Sequence, residues 1–189
     1  MTSGLGLDSH DRARRWFSMG VKELAVPMYG YQADLHDQIT GSINFDRLMS
    51  SLKVAHQAGM RIRIHTLALN RNLHAIEGLA QLVQKHFGTR LSVAPPREKA
   101  HLFQYEEETP NYQRVSEVLC NLDVELVGWP RCVAPDRPRG AAMVIELYMR
   151  GQARDYAKVC KQCLWRTSCS GVVLAELQSR GSEGLNPKG

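Results

Sequence analysis

The chain has 189 residues, among them five cysteines, with 24 Lys and Arg against 19 Asp and Glu and a formal net charge of +5. That length buries a substantial core and predicts one domain with an appended module, and no apolar run approaches membrane-spanning length, so a soluble cytoplasmic protein is expected. The basic residues are spread over Arg12 to Arg15, Arg61 to Arg71, Arg131 to Arg139 and Lys158 to Arg166, a spread that argues only weakly for a nucleic-acid partner and that solvated faces and anionic-ligand contacts explain as well.

Asp8 or Ser9 can cap a first helix whose inner face is Ala13, Trp16 and Phe17 and which Gly20 ends. The run VKELAVPMYG reads as a buried strand that breaks at Pro27 and Gly30. A loop with Tyr31, His36, Asp37, Thr40 and Gly41 is expected next, and His36 beside Asp37 reads as a loop-stabilising hydrogen-bonded pair. From about Asn44 to Ala58, Phe45, Leu48, Met49, Leu52 and Ala55 recur at helical spacing, with Gly59 at the stop.

RIRIHTLAL is a strand that alternates Arg61, Arg63 and His65 against Ile62, Ile64 and Thr66. A further helix starts near Asn70 or Asn72, buries Leu73, Ile76, Leu79, Ala80 and Val83, and ends by Gly88. LSVAPP is a short strand stopped by prolines, and an acidic irregular segment follows it. Thr109 and Pro110 then announce a helix with a cap and a first-position proline, leading into the strand VELVGWP. Strands therefore begin near Val21, Met60, Leu91 and Val124, each after a helix, which means a parallel sheet, open or curled into a barrel. MVIELYM reads as one more strand, and the end, SRGSEGLNPKG, as a frayed tail.

The chemistry lies in the cysteines. Cys160 and Cys163 form a Cys-x2-Cys pair, Cys169 follows, and Cys132 stands upstream. Thiolates are soft ligands, and two on one short turn can grip one centre, so these four read as an all-sulfur site for zinc or for an iron–sulfur cluster. Spacing does not choose between the two. A disulfide framework is not expected, because no apolar signal segment precedes Asp8 and the cysteine number is odd. Cys120 lies in the apolar series Tyr112, Val115, Val118, Leu119 and Leu122 and reads as a buried hydrophobe. No G-x-G-x-x-G, Walker or H-E-x-x-H motif is present. A zinc-stapled binding module without catalytic activity is the rival to the cluster.

Several stretches together resemble a known family. GVKELAVPMYGYQADLHDQITG, with its His-Asp-x-x-Thr-Gly loop, and HQAGMRIRIHTLALNRNL resemble the second half of the radical S-adenosylmethionine (radical SAM) enzymes. The opening TSG is similar to that family's Thr-Asn-Gly turn after its third strand, and Cys132 with Cys160, Cys163 and Cys169-Ser170-Gly171 resembles its auxiliary iron–sulfur tail. The resemblance covers about Thr2 to Val173. It implies an α/β fold, the C-terminal half of a partial (β/α) barrel of radical SAM type, with a Cys-rich C-terminal extension. Residues 1–130 would be the half-barrel, 131–175 the auxiliary module and 176–189 the frayed tail.

The implied activity is that of an oxidoreductase or maturase acting on a peptide or small molecule. Cys132, Cys160, Cys163 and Cys169 would hold an auxiliary 4Fe-4S cluster. His65, Arg63 and Asn72 would be the cofactor contacts, Asn72 being equally a helix cap. Pro27 stands where the family often has a cofactor-contacting Ser. S-adenosylmethionine and a second 4Fe-4S cluster belong only to a complete protein, because the family's Cys-x3-Cys-x2-Cys motif is not in this chain. Aligned to the family's strand order, the chain begins at the end of the third strand, with about thirty or more residues absent for each of three units. A fragment or mis-started gene is expected, or else a complementing N-terminal half encoded separately. The strand Leu24 to Val26 would then carry an unpaired edge, and the chain alone would generate no radical.

Overall fold

The computed structural model describes residues 6–7, 9–96, 105–134, 136 and 153–188. The protein is α/β: strands β1 (Glu23–Pro27), β2 (Arg61–Leu67), β3 (Leu91–Ala94) and β4 (Val124–Leu126) form one parallel sheet in the order β1-β2-β3-β4. Each strand lies beside its predecessor in the chain, the progression that helical crossovers give when the sheet grows in one direction. The order has no reversal, and a reversal is what defines the switch point of a doubly wound sheet. Among the described residues no helix is long and apolar enough to cross a membrane. The expected strand MVIELYM and the TSG turn lie outside the described residues.

Two compact units make up the chain, Met1–Thr66 with Ala75–Ser92, and Leu67–His74 with Val93–Gly189. In the first, helix α1 (His10–Ser18) starts at Ser9, whose hydroxyl accepts the Arg12 N–H. Only Ala13 of its expected inner face is buried; Trp16 and Phe17 are half-buried. Phe17 carries the Lys22 ammonium 3.4 Å from its ring centroid and lies where a side chain at Gly59 would be, so its exposed flank is a cation–π contact rather than a core contact. β1 alternates half-buried and buried residues instead of being buried throughout.

Where a loop was expected, the chain forms helix α2 (Ala33–Thr40). Its polar residues hid the pattern: His36 and Ile39, three apart, are both buried, and Gly41 ends the helix in the left-handed conformation at φ 68°. His36 is the hub. Its Nδ1 accepts the Tyr29 backbone N–H at 3.2 Å, so Nε2 carries the proton and donates to Asn44 Oδ1 at 3.0 Å. Asp37 Oδ1 accepts the N–H groups of Asn44 and Phe45, both at 3.0 Å, which caps helix α3 (Phe45–Gln57) with a carboxylate. His36 and Asp37 therefore act from within a helix and on separate partners, His36 on Tyr29 and Asn44 and Asp37 on Asn44 and Phe45, and not as the mutually bonded loop pair that was expected.

Burial holds the His36 pKa below the ordinary histidine value, against smaller upward pulls from Asn44 and Asp37. The unfolded chain then takes up the proton more readily than the folded one, so this contribution is complete above about pH 6.5 and is lost on acidification below it. Urea midpoints should fall between pH 7 and pH 5 in the parent. They should fall less steeply in a His36→Gln variant; equal slopes would sink the assignment.

β2 pairs in register with β1, Arg61 opposite Glu23 and His65 opposite Pro27. Arg61 and Arg63 both reach Glu23, Arg63 at 3.0 Å. These half-exposed pairs are worth at most about 1 kcal/mol and set register more than stability. Helix α4 (Ile76–Phe87) buries Ile76, Leu79, Val83 and Phe87 and stops at Gly88, φ 64°. Ala80, expected in that core, is half-buried.

In the second unit Asn72 is buried, its Oδ1 accepting the Leu69 N–H at 2.8 Å and its amide donating to the Leu67 carbonyl at 3.0 Å. It braces its own turn; the residue at the N-cap of α4 is Ala75. A short helix α5 (Tyr105–Glu108) receives Asn70 and Arg71, the latter in an ion pair with Glu108. Helix α6 (Tyr112–Leu119) is capped by Asn111, which accepts the Arg114 N–H at 2.8 Å, not by Thr109. After β4, Trp129 turns inward, donating to the Val93 carbonyl and meeting Tyr112 edge-on. The two-residue strands β5 (Arg154–Asp155) and β6 (Val172–Val173) pair antiparallel, and helix α7 (Leu174–Arg180) follows. The end does not fray: Arg180 donates to the Thr109 carbonyl, and Leu164 donates its N–H to the Lys188 carbonyl at 3.0 Å.

Candidate metal centre

Four thiols face one small cavity in the second unit: Cys132, Cys160, Cys163 and Cys169. Three tight 3₁₀ turns present them. Arg131–Val133 carries Cys132, Lys158–Gln162 carries Cys160 and ends at Cys163, and Arg166–Ser168 leads into Cys169. Residues three apart eclipse on a 3₁₀ turn, so the Cys-x2-Cys spacing sets Cys160 and Cys163 on one side. The Cys163 N–H closes that turn on the Cys160 carbonyl at 3.2 Å.

The separated pieces are tied together directly. The Arg131 backbone N–H donates to Cys169 Sγ at 3.3 Å, and the Arg131 guanidinium donates to Ser168 Oγ at 2.9 Å. Tyr156 OH lies 2.9 Å from the Cys169 carbonyl, and Ser170 Oγ donates to the Trp129 carbonyl at 3.1 Å. At Gly171, φ is 73° and an added Cβ would stand 2.9 Å from the Asp155 carbonyl oxygen, so the Cys-Ser-Gly end of the motif admits no side chain there. Arg154, placed by the β5–β6 ladder opposite Val173, donates to the carbonyls of Gly128 at 2.6 Å and Gly171 at 2.9 Å.

Burial raises the thiol pKa values of Cys132 and Cys160. Neighbouring thiols add to it, Cys169 and Cys160 for Cys132, and Cys163 and Cys169 for Cys160. Each of the two thus feels two other members of the set. The Asn186 backbone N–H and, at Cys160, the Arg166 guanidinium pull the other way. Arg131 and Arg166 line the same cavity, where they would offset the negative charge that four thiolates carry to a metal.

Among the described residues no carboxylate or imidazole lines the cavity, so the metal donors they offer are soft sulfur, the set that suits zinc or iron–sulfur clusters. Among the described residues no three His, Cys, Asp or Glu side chains are drawn together closely enough to grip a single ion. The thiols surround a shared space instead of converging on a point, and the donor chemistry fits a sulfur-ligated centre.

The remaining predicted site residues are not among those that line this cavity. Arg63 and His65 lie on β2 in the first unit, Arg63 with its charge answered by Glu23 and His65 buried with its carbonyl accepting the Met28 N–H. Asn72 spends its amide on its own turn. Cys120 is not the buried hydrophobe its series implied: it caps α6, half-buried, with Sγ 3.6 Å from the Glu117 carbonyl. The sequence reading missed Arg154, which bonds the Gly128 and Gly171 carbonyls, and Tyr156, Leu185 and Pro187, which line the cavity. Arg154 and Tyr156 had no local signal; the closing role of the tail was masked by its Gly, Ser and Pro content.

Fold and site together define an α/β protein with a parallel sheet and a four-cysteine cavity in its second unit. No protein-family model matches the chain, and no curated protein matches it in sequence.

Proposed function

We propose that the chain is the C-terminal part of a radical S-adenosylmethionine enzyme and that Cys132, Cys160, Cys163 and Cys169 hold an auxiliary 4Fe-4S cluster. The observation that carries this reading is the cavity that four cysteines share, with no carboxylate or imidazole among its described lining residues. The sheet supports it as well, since strands that follow one another in sequence order are what a partial (β/α) barrel requires. Zinc would satisfy the same donors, and the resemblance in the βα segments is what favours iron–sulfur.

In this reading His65 and Arg63 on β2 belong to the cofactor side of the barrel in the complete protein, and Asn72 holds the turn that follows. β1 is an edge strand among the described residues, which is where the strand of a complementing N-terminal half would add. A fully thiolate-ligated cluster leaves no iron open to substrate and serves electron transfer or structural support.

Anaerobic reconstitution of the full chain with iron and sulfide should give a broad visible absorbance that bleaches on reduction, with about four iron and four sulfide per chain. Stoichiometric zinc retained against iron, with no visible band, would overturn the cluster. The same preparation with a strong reductant should leave S-adenosylmethionine uncleaved, because the cysteines of the radical-generating motif are not in the chain.

A further inference from the structure

The thiol cavity has about 20 Å³ of internal space, little more than one water occupies. Beside it lies a far larger cavity of about 700 Å³, floored by Gln113, Ser116, Glu117 and Cys120 of α6 and its cap. The two share a wall of four residues: Cys132, Trp165, Leu185 and Pro187. Two of those belong to the C-terminal segment. We propose that residues 184–188 are a strap that closes the cysteine centre, that the large cavity is its entrance, and that Cys132 is the ligand reached first from it.

The strap is fastened at both ends. At its start, Gly184 lies against α6 with φ 70°, and a Cβ there would come 2.5 Å from the Gln113 nitrogen. In its middle, Leu185, Asn186 and Pro187 line the larger cavity together with Cys132. At its end the Lys188 carbonyl accepts the Leu164 N–H at 3.0 Å, and the Lys188 ammonium stands 5.4 Å from the Trp165 ring centroid. Arg131 holds the same ring at 5.4 Å. These are a few hydrogen bonds and cation–π contacts, each worth about 1 kcal/mol, so the strap can lift without unfolding the unit. With the strap in place the thiol cavity offers about 20 Å³, too little for a metal centre larger than one water, so loading requires that lift.

The inference rests on a metal at these thiols, but the strap can be tested without one. In the reduced, metal-free full chain, iodoacetamide labelling mapped by mass spectrometry should be slow at Cys132. In a variant ending at Glu183 it should rise roughly ten-fold at Cys132 while Cys120 changes little, since access governs thiol reactivity. Gly184→Ala, which lifts only the start of the strap, should give a smaller rise at the same residue and decides the matter if the shortened chain labels everywhere and is unfolded. In chain reconstituted with iron and sulfide, both variants should lose iron to a chelator faster than the parent. Equal Cys132 labelling in parent and folded variants would overturn the strap. Failure of the parent to take up metal, with Cys132 still exposed by truncation, would overturn the cluster and leave the strap standing.

Discussion

Cys160→Ala with Cys163→Ala takes up less than about a tenth of the metal that the parent binds, because metal binding by thiolates collapses when the short chelate that nucleates it is gone. The two sulfurs lie on one 3₁₀ turn closed by the Cys163 N–H to the Cys160 carbonyl. Removing both leaves Cys132 and Cys169, which approach from separate turns tied by hydrogen bonds such as that from the Arg131 N–H to Cys169 Sγ. The control is Cys120→Ala, which should load fully, because its thiol sits at the end of α6 and lines only the larger cavity. Loading raises the melting temperature of the parent by mass action on the folded state, and the double variant should show no such rise. Metal content and melting with and without metal measure it. Full loading of the double variant, or loss of loading in Cys120→Ala, would transfer the centre away from the four thiols.

The sheet was legible from the chain because its signals are local. Alternation in RIRIHTL, glycine stops at Gly59 and Gly88, and proline after Ala94 place β2, α3, α4 and β3 close to where they are found. Elements held by their partners were not. α2 has no capping side chain, and its His36, Asp37 and Thr40 are residues that also build turns, so only the burial of His36 and Ile39 shows it to be a helix. At α6 the cap is Asn111, whose Oδ1 meets the Arg114 N–H, and not the expected Thr109 two residues earlier. The pairing of Cys160 and Cys163 on one turn was legible in the same way as the strands, because the Cys-x2-Cys spacing is a local geometry, and Cys132 and Cys169 line the same cavity. What braces those thiols could not be read. Arg154 acts on Gly128 and Gly171, and the tail acts on Cys132 and Leu164, pairings across distances in sequence that no periodicity encodes.

Arg154 sets the second expectation: Arg154→Ala lowers the stability of the folded chain by about 3 kcal/mol, the range for losing charge-assisted hydrogen bonds and leaving their acceptors unpaired. Its guanidinium bonds both sides of the site at once: Nη2 donates to the Gly128 carbonyl at 2.6 Å, before Cys132, and Nη1 to the Gly171 carbonyl at 2.9 Å, after Cys169. Ser170 adds contacts at 3.4 and 3.5 Å. Truncation strands carbonyls that face the protein, and it also frees the two cysteine-bearing loops to drift apart, so metal affinity should fall along with stability. Lysine cannot replace the fork, since one ammonium presents a point charge and cannot span both carbonyls in the same geometry; Arg154→Lys should recover only part of either loss. Urea unfolding reads the first effect and metal competition against a chelator reads the second. A variant with the parent's urea midpoint and undiminished metal affinity would mean that the β5–β6 ladder alone sets the distance between the loops, and that the guanidinium is an ornament on it.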